Sequence, residues 1–132
     1  MGRLNFEATA VEVTDADTVL ATVGTAGLME QSLGFCTLEL SNVDGSTIDS
    51  FTIQVQHHPN GDWHNFLSDV DFAATDNVNM LFASTIGPHE VAEGEVGIAQ
   101  VMLNGVHGVR FLATVASGSA TVDIRGGVVL VG

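Results

Sequence analysis

A chain of 132 residues with 45% apolar residues is long enough for one domain with a sizeable core. Sixteen acids against three arginines and no lysine leave a formal charge of −13, which repels nucleic-acid phosphates and argues against direct DNA or RNA binding. No apolar run approaches the about 20 residues of a membrane helix, and a single cysteine excludes an internal disulfide.

In chain order, residues 4–13 alternate loosely and predict a first strand, with 1–13 an edge strand or an arm that contacts a partner. Met1–Phe6 has no continuous apolar run, so a secretory signal is not expected. Phe6 also stands where a myristoylation site wants Ser or Thr. Thr14–Asp17 reads as a turn. Residues 18–23, rich in β-branched side chains, predict a second strand. Gly24–Gly34 reads as a loop whose apolar Leu28 and Met29 tuck beneath it or touch a partner.

Residues 35–42 predict a third strand, with Cys36, Leu38 and Leu40 on one face. Cys36 is expected as a buried core thiol, since a small free cysteine packs as a hydrophobe. Asn42–Ser46 carries Asp-Gly turn chemistry. Residues 50–58 alternate strictly: Phe51, Ile53, Val55 and His57 point one way, Thr52, Gln54, Gln56 and His58 the other. This strand is expected to pair with the third as a meander. Pro59–Asp62 then turns the chain into a short return strand at 63–67 that opens on Trp63, the sole tryptophan.

Residues 68–79 are irregular and acidic, with Asp69, Asp71 and Asp76, and a strand is expected over 80–83. Glu90, Glu93 and Glu95 flank the next strand start and are expected to guard an edge against pairing. Residues 96–103, 107–116 and 119–125 predict three consecutive strands, with Asn104-Gly105 as a hairpin signal whose loop Val106 lengthens and Ala116–Ser119 as a second tight turn. Val109, Phe111, Ala113 and Val115 form an inward stripe answered by Val122 and Ile124. Arg110 and Asp123 are outward candidates for a cross-strand ion pair. Gly126-Gly127 is expected to break or bulge the last strand. No segment shows capped helical periodicity. The fold class is therefore all-β: an antiparallel β-sandwich of about eight short strands, with a jelly roll or flattened barrel as alternatives.

Chemistry is sparse. His57, His58 and His64 cluster around Asp62, but His57 and His58 point to opposite faces of one strand, so one metal ion cannot take both without a bulge. No calcium loop, nucleophile elbow, phosphate loop or dinucleotide fingerprint is present. Neither an enzymatic activity nor a cofactor or metal is expected.

The run from the Gln-x-Gln strand through His58-Pro59-Asn60-Gly61-Asp62-Trp63, then Gly108–Val115 and Ala120–Gly126, resembles small all-β capsid decoration (cement) proteins of tailed bacteriophages. The resemblance implies a virion structural protein on the capsid exterior, made in the host cytoplasm. It would bridge major capsid proteins and neighbouring copies of itself, without nucleic acid or membrane. Arg3, Leu4, Phe6, Leu28 and Met29 are the candidate contacts. The alternatives are another tail component, or a carbohydrate- or cell-surface-binding module in which Trp63, His58, Asp62 and His64 form the site.

Overall fold

The computed structural model describes residues 2–24, 33–67, 73–74 and 90–131. Leu28, Met29, Asp69, Asp71, Asp76 and the strand expected over 80–83 lie outside the described residues. Nine strands are present among those described: β1 (Gly2–Val13), β2 (Thr18–Gly24), β3 (Leu33–Gly45), β4 (Ile48–Gln56), β5 (Trp63–Leu67), β6 (Ala73–Ala74), β7 (Val96–Asn104), β8 (Gly108–Val115) and β9 (Ala120–Val131). Eight of them make two antiparallel four-stranded sheets. The first has the order β1-β9-β3-β7, with the two-residue β6 on its β7 edge; the second has the order β2-β8-β4-β5.

The pairing explains this order. β1 pairs β9, β2 pairs β8, β3 pairs β7 and β4 pairs β5, all antiparallel. The chain is thus one long antiparallel ribbon, β1 to β4 running out and β5 to β9 running back. The ribbon is rolled so that β3 also meets β9 and β4 also meets β8. This is the topology of a double-sheet jelly roll, an antiparallel β-sandwich.

Rolling corrects two expected pairings. β3 and β4 do not form a meander, because they lie in different sheets. Nor does Asn104-Gly105 close a hairpin; it carries the chain from β7 in the first sheet to β8 in the second. Only β4–β5, across the Pro59 turn, joins two of the eight ribbon strands as neighbours in one sheet.

The core lies between the sheets. Leu40, Phe51, Ile53, Val109, Phe111, Val122 and Ile124 are all fully buried there. The inward stripe of β8 faces Val122 and Ile124 of β9 across the sandwich, as alternation requires. Phe111 sits at the centre, its ring centroid 5.0 Å from that of Phe6 and 6.1 Å from that of Phe51, both stacked.

β3 runs on to Gly45, past the expected turn at Asn42. Asn42 points inward, and its buried amide ties two connections together. Nδ2 donates to the Ser46 carbonyl (2.8 Å) and to the Val91 carbonyl (3.0 Å). Its backbone N–H donates to the Glu95 carbonyl at 3.0 Å, and its carbonyl accepts from Gly94 N at 2.8 Å. Glu93 and Glu95 serve the same corner rather than an edge. Glu93 Oε1 accepts from Gly45 N at 3.0 Å and Glu95 Oε1 from Ala92 N at 2.8 Å.

Cys36 is buried as expected. Burial pushes its thiol up to about 12 from 9.0, with the nearby Arg3 charge acting weakly the other way. Above pH 9.0 the unfolded chain releases the thiol proton while the folded chain keeps it, so stability falls as pH rises from about 9 towards about 12. The slope limit is about 1.4 kcal/mol per pH unit. Replacing Cys36 by Ala is expected to flatten that alkaline slope in urea melts at pH 8 to 10.5, and Ellman's reagent at pH 8 is expected to label the wild-type thiol only after denaturation. Labelling of the folded protein at the denatured rate would contradict the burial.

Candidate functional site

Two outer faces remain once the core is filled, and their chemistry differs. The outer face of the first sheet is built in rows across β1, β9, β3 and β7. Glu7, Arg125, Glu39 and Ile98 stand in one row, and Asn5, Gly127, Thr37 and Gln100 in the next. Arg3, Asn5, Glu7, Thr37, Glu39, Ile98 and Arg125, with Phe6, Leu38 and Gly126 beneath them, line a groove of about 580 Å³. Two of the chain's three arginines therefore share one concavity.

Arg125 is exposed and pairs with Glu39 through Nε. The Glu39 hydrogen bond, reinforced by its charge, raises the guanidinium pKa further. Arg3 is held by Asn5, whose Oδ1 accepts from its Nε at 2.6 Å. The guanidinium of Arg3 lies over Gly127, where a Cβ would come within 2.5 Å of it. Gly126-Gly127 thus corrects another expectation: β9 runs unbroken through both residues, and they clear space on its two sides. Gly127 admits Arg3 outside, and Gly126 admits Phe6 inside.

Irregularities lie instead in the strands on either side of β9, in β3 between Asn42 and Asp44 and in β1 between Ala8 and Val11. In the β1 bulge Ala10 adopts φ 54°, and Asp123 Oδ1 accepts from its backbone N–H at 2.8 Å. Asp123 is accordingly not the partner of Arg110: both residues point outward, but from opposite sheets.

Arg110 belongs to the outer face of the second sheet. There Thr22, Arg110, Gln54 and Asn65 form a row across β2, β8, β4 and β5. Arg110 Nε donates to Gln54 Oε1 at 2.7 Å, and Gln54 Nε2 donates to Asn65 Oδ1 at 2.8 Å. Both Gln54 amide atoms are committed, which fixes its orientation. The next row holds Gly24, Gly108, Gln56 and Trp63. The half-buried Trp63 indole reaches back over Gly108, where a Cβ would stand 3.1 Å from its Cη2. The Arg110 Cζ lies 4.6 Å from the Trp63 ring centroid, a cation–π contact. Gln56 Nε2 donates to the Gly61 carbonyl at 2.8 Å, tying the turn to the strand.

The site imagined around Trp63 is therefore only partly assembled. His64 follows Trp63 in β5 and points to the other face; its ring lies 6.5 Å from that of His57. His58 Nδ1 accepts from Asn60 N at 3.1 Å, inside the turn. Asp62 is exposed just before β5. Among the described residues no group of three metal-ligating side chains converges.

Sequence reasoning missed Arg110, Gln54 and Asn65 as neighbours of Trp63. The signal was present in the Gln-x-Gln alternation, but the sheet partner of β4 was not. Of the N-terminal contact candidates, Leu4 and Phe6 pack partly buried against the core, while Arg3 is on the outer face.

No family model and no curated protein sequence matches this chain. Among solved structures it is similar to the SPBc2 prophage-derived protein YomS, at 13% identity, a TM-score of 0.48 and coverage of 96% of each chain. A chain of the disulfide-linked pili of Bacillus endospore appendages aligns at 12% identity and a TM-score of 0.37, with coverage of 98% of this chain and 87% of that one. A chain of infectious bursal disease virus Gx strain aligns at 9% identity and a TM-score of 0.46, with coverage of 98% of this chain and 30% of that one.

Proposed function

We propose that this chain is a virion structural protein that sits on the outside of a phage capsid and bridges major capsid proteins. The observation that supports the reading is the groove on the first sheet. In a chain of charge −13, Arg3 and Arg125 stand in it beside Glu7 and Glu39. Such a mixed-sign surface selects a protein partner by charge complementarity, and it lies against β1, an edge strand open to β-augmentation. In this reading the partners are the major capsid protein and neighbouring copies, and the role is mechanical rather than enzymatic.

Quantitative mass spectrometry of purified particles tests it. The chain is expected in a fixed high ratio to the major capsid protein, and the double substitution Arg3→Glu with Arg125→Glu is expected to lower that ratio at least tenfold. Intact particles devoid of the wild-type chain would sink the proposal.

A further inference from the structure

The outer face of the second sheet is chemically unlike the rest of the chain. β2, β4, β5 and β8 together contain one carboxylate, Asp49, although the chain holds sixteen. Asp49 stands at the end of β4 away from Trp63: its neighbour Ile48 pairs Val115, whereas Gln56 pairs Trp63 and Gly108. Around Trp63 the face presents Thr22, Thr52, Gln54, Gln56, Asn65 and a single cation, Arg110. Among the described residues of these strands it is a face of amides and hydroxyls beside one aromatic ring, with the exposed Asp62 just before that ring.

We infer that this face binds a saccharide, with Trp63 stacking on a sugar ring and Arg110, Gln54 and Asn65 meeting its hydroxyls. Three features select that ligand. A pyranose has an apolar C–H face that packs on an aromatic plane and a rim of hydroxyls that each donate and accept. The indole and the Gln and Asn amides supply both kinds of contact, and the guanidinium adds donors. The platform spans β8 to β5 across β4, about 10 Å at sheet spacing, which suits one or two sugar rings laid along the surface.

The platform is also held in place before any ligand arrives. Arg110 is fixed by Gln54, Gln54 by Asn65, and Trp63 by its seat on Gly108 beside Arg110. Fixed side chains have less entropy to lose on binding. The face is opposite the groove assigned to the capsid partner, so a chain seated through the first sheet would present the second outward. The inference nevertheless stands without that partner.

Trp63 is the only tryptophan, so its fluorescence reports this face alone. The full chain is applied to an immobilised array of neutral and acidic oligosaccharides built from glucose, galactose, mannose, N-acetylglucosamine and uronic acids. Retained sugars are then titrated in solution by isothermal titration calorimetry for every variant, with indole emission followed as well in those that keep Trp63. Saturable retention on at least one sugar class is expected, with affinity lowered tenfold or more in Trp63→Ala and in Gln54→Ala and unchanged in Arg125→Gln. Trp63→Phe, which keeps an aromatic plane, is expected to retain part of the binding, and thermal melts establish that each variant is folded. Wild type retained by no sugar, or retained equally by folded Trp63→Ala and Gln54→Ala, overturns the proposal. So does a folded Trp63→Ala variant that loses attachment to particles while wild type shows no sugar retention, because the face is then a protein contact.

Discussion

Phe111→Ala is expected to destabilise the protein by about 3–5 kcal/mol, the range for truncating a large buried aromatic. Two terms combine. The removed ring takes its burial free energy with it, and the cavity left behind is lined by elements that cannot collapse. Phe111 is fully buried on β8, a strand paired on both sides, by β2 and β4. The ring touches both sheets: Phe6 of β1 stacks on it from the first and Phe51 of β4 from the second. Its loss removes the aromatic bridge between the two halves of the rolled ribbon. In a domain of this size the expected fall in melting temperature is roughly 10–20 °C.

Phe66→Ala is the control. That side chain is 45% exposed, and truncation there is expected to cost under about 1 kcal/mol. Urea melts followed by far-ultraviolet circular dichroism give both values. Equal costs at the two positions would mean that the core is not centred on Phe111.

Alternation made the strands legible, because the period of two depends only on neighbours. β5 at Trp63–Leu67 and the inward stripe Val109, Phe111, Ala113 and Val115 were read directly. Sheet membership was not legible, because it depends on which strand a ribbon meets after rolling. Asp-Gly at 44–45 and Asn-Gly at 104–105 signal tight turns equally well whether the next strand returns beside the last or crosses to the other sheet. The same gap hid the candidate site. Arg110 and Asp123 were both correctly outward, yet outward from opposite sheets. Gln54 was correctly polar-faced, yet its partner Arg110 lies 56 residues away. Gly126-Gly127 was misread for a related reason. Glycine marks either a bend or a close approach, and only the packing of Phe6 and Arg3 against β9 distinguishes them.

That distinction carries the second large effect. Gly126→Ala is expected to destabilise by about 3 kcal/mol, whereas Gly127→Ala, one residue along the same strand, is expected to stay within about 1 kcal/mol of wild type. A Cβ on Gly126 would lie 2.8 Å from Phe6 Cζ and 2.9 Å from Leu38 Cα, and closer still to the Thr37 carbonyl oxygen. Two of those obstacles are backbone of β3, which β9 and β7 hold on both sides, so neither can retreat without breaking a ladder. The three atoms nearest a Cβ on Gly127 would all belong to the guanidinium of Arg3, the first, Nη2, at 2.5 Å, and that exposed side chain can swing away. The gain from a less flexible unfolded chain, about 0.4–1 kcal/mol for glycine to alanine, offsets the small cost at Gly127 and falls short of the clash at Gly126.

A double-mutant cycle identifies the obstacle. If the Phe6 ring were the main clash, Phe6→Ala would rescue Gly126→Ala. With the β3 backbone as the main clash, the two costs are expected to add to within about 0.5 kcal/mol. Full rescue, or equal stability of the two glycine variants, would show that β9 and β3 do not approach as closely as the fold requires.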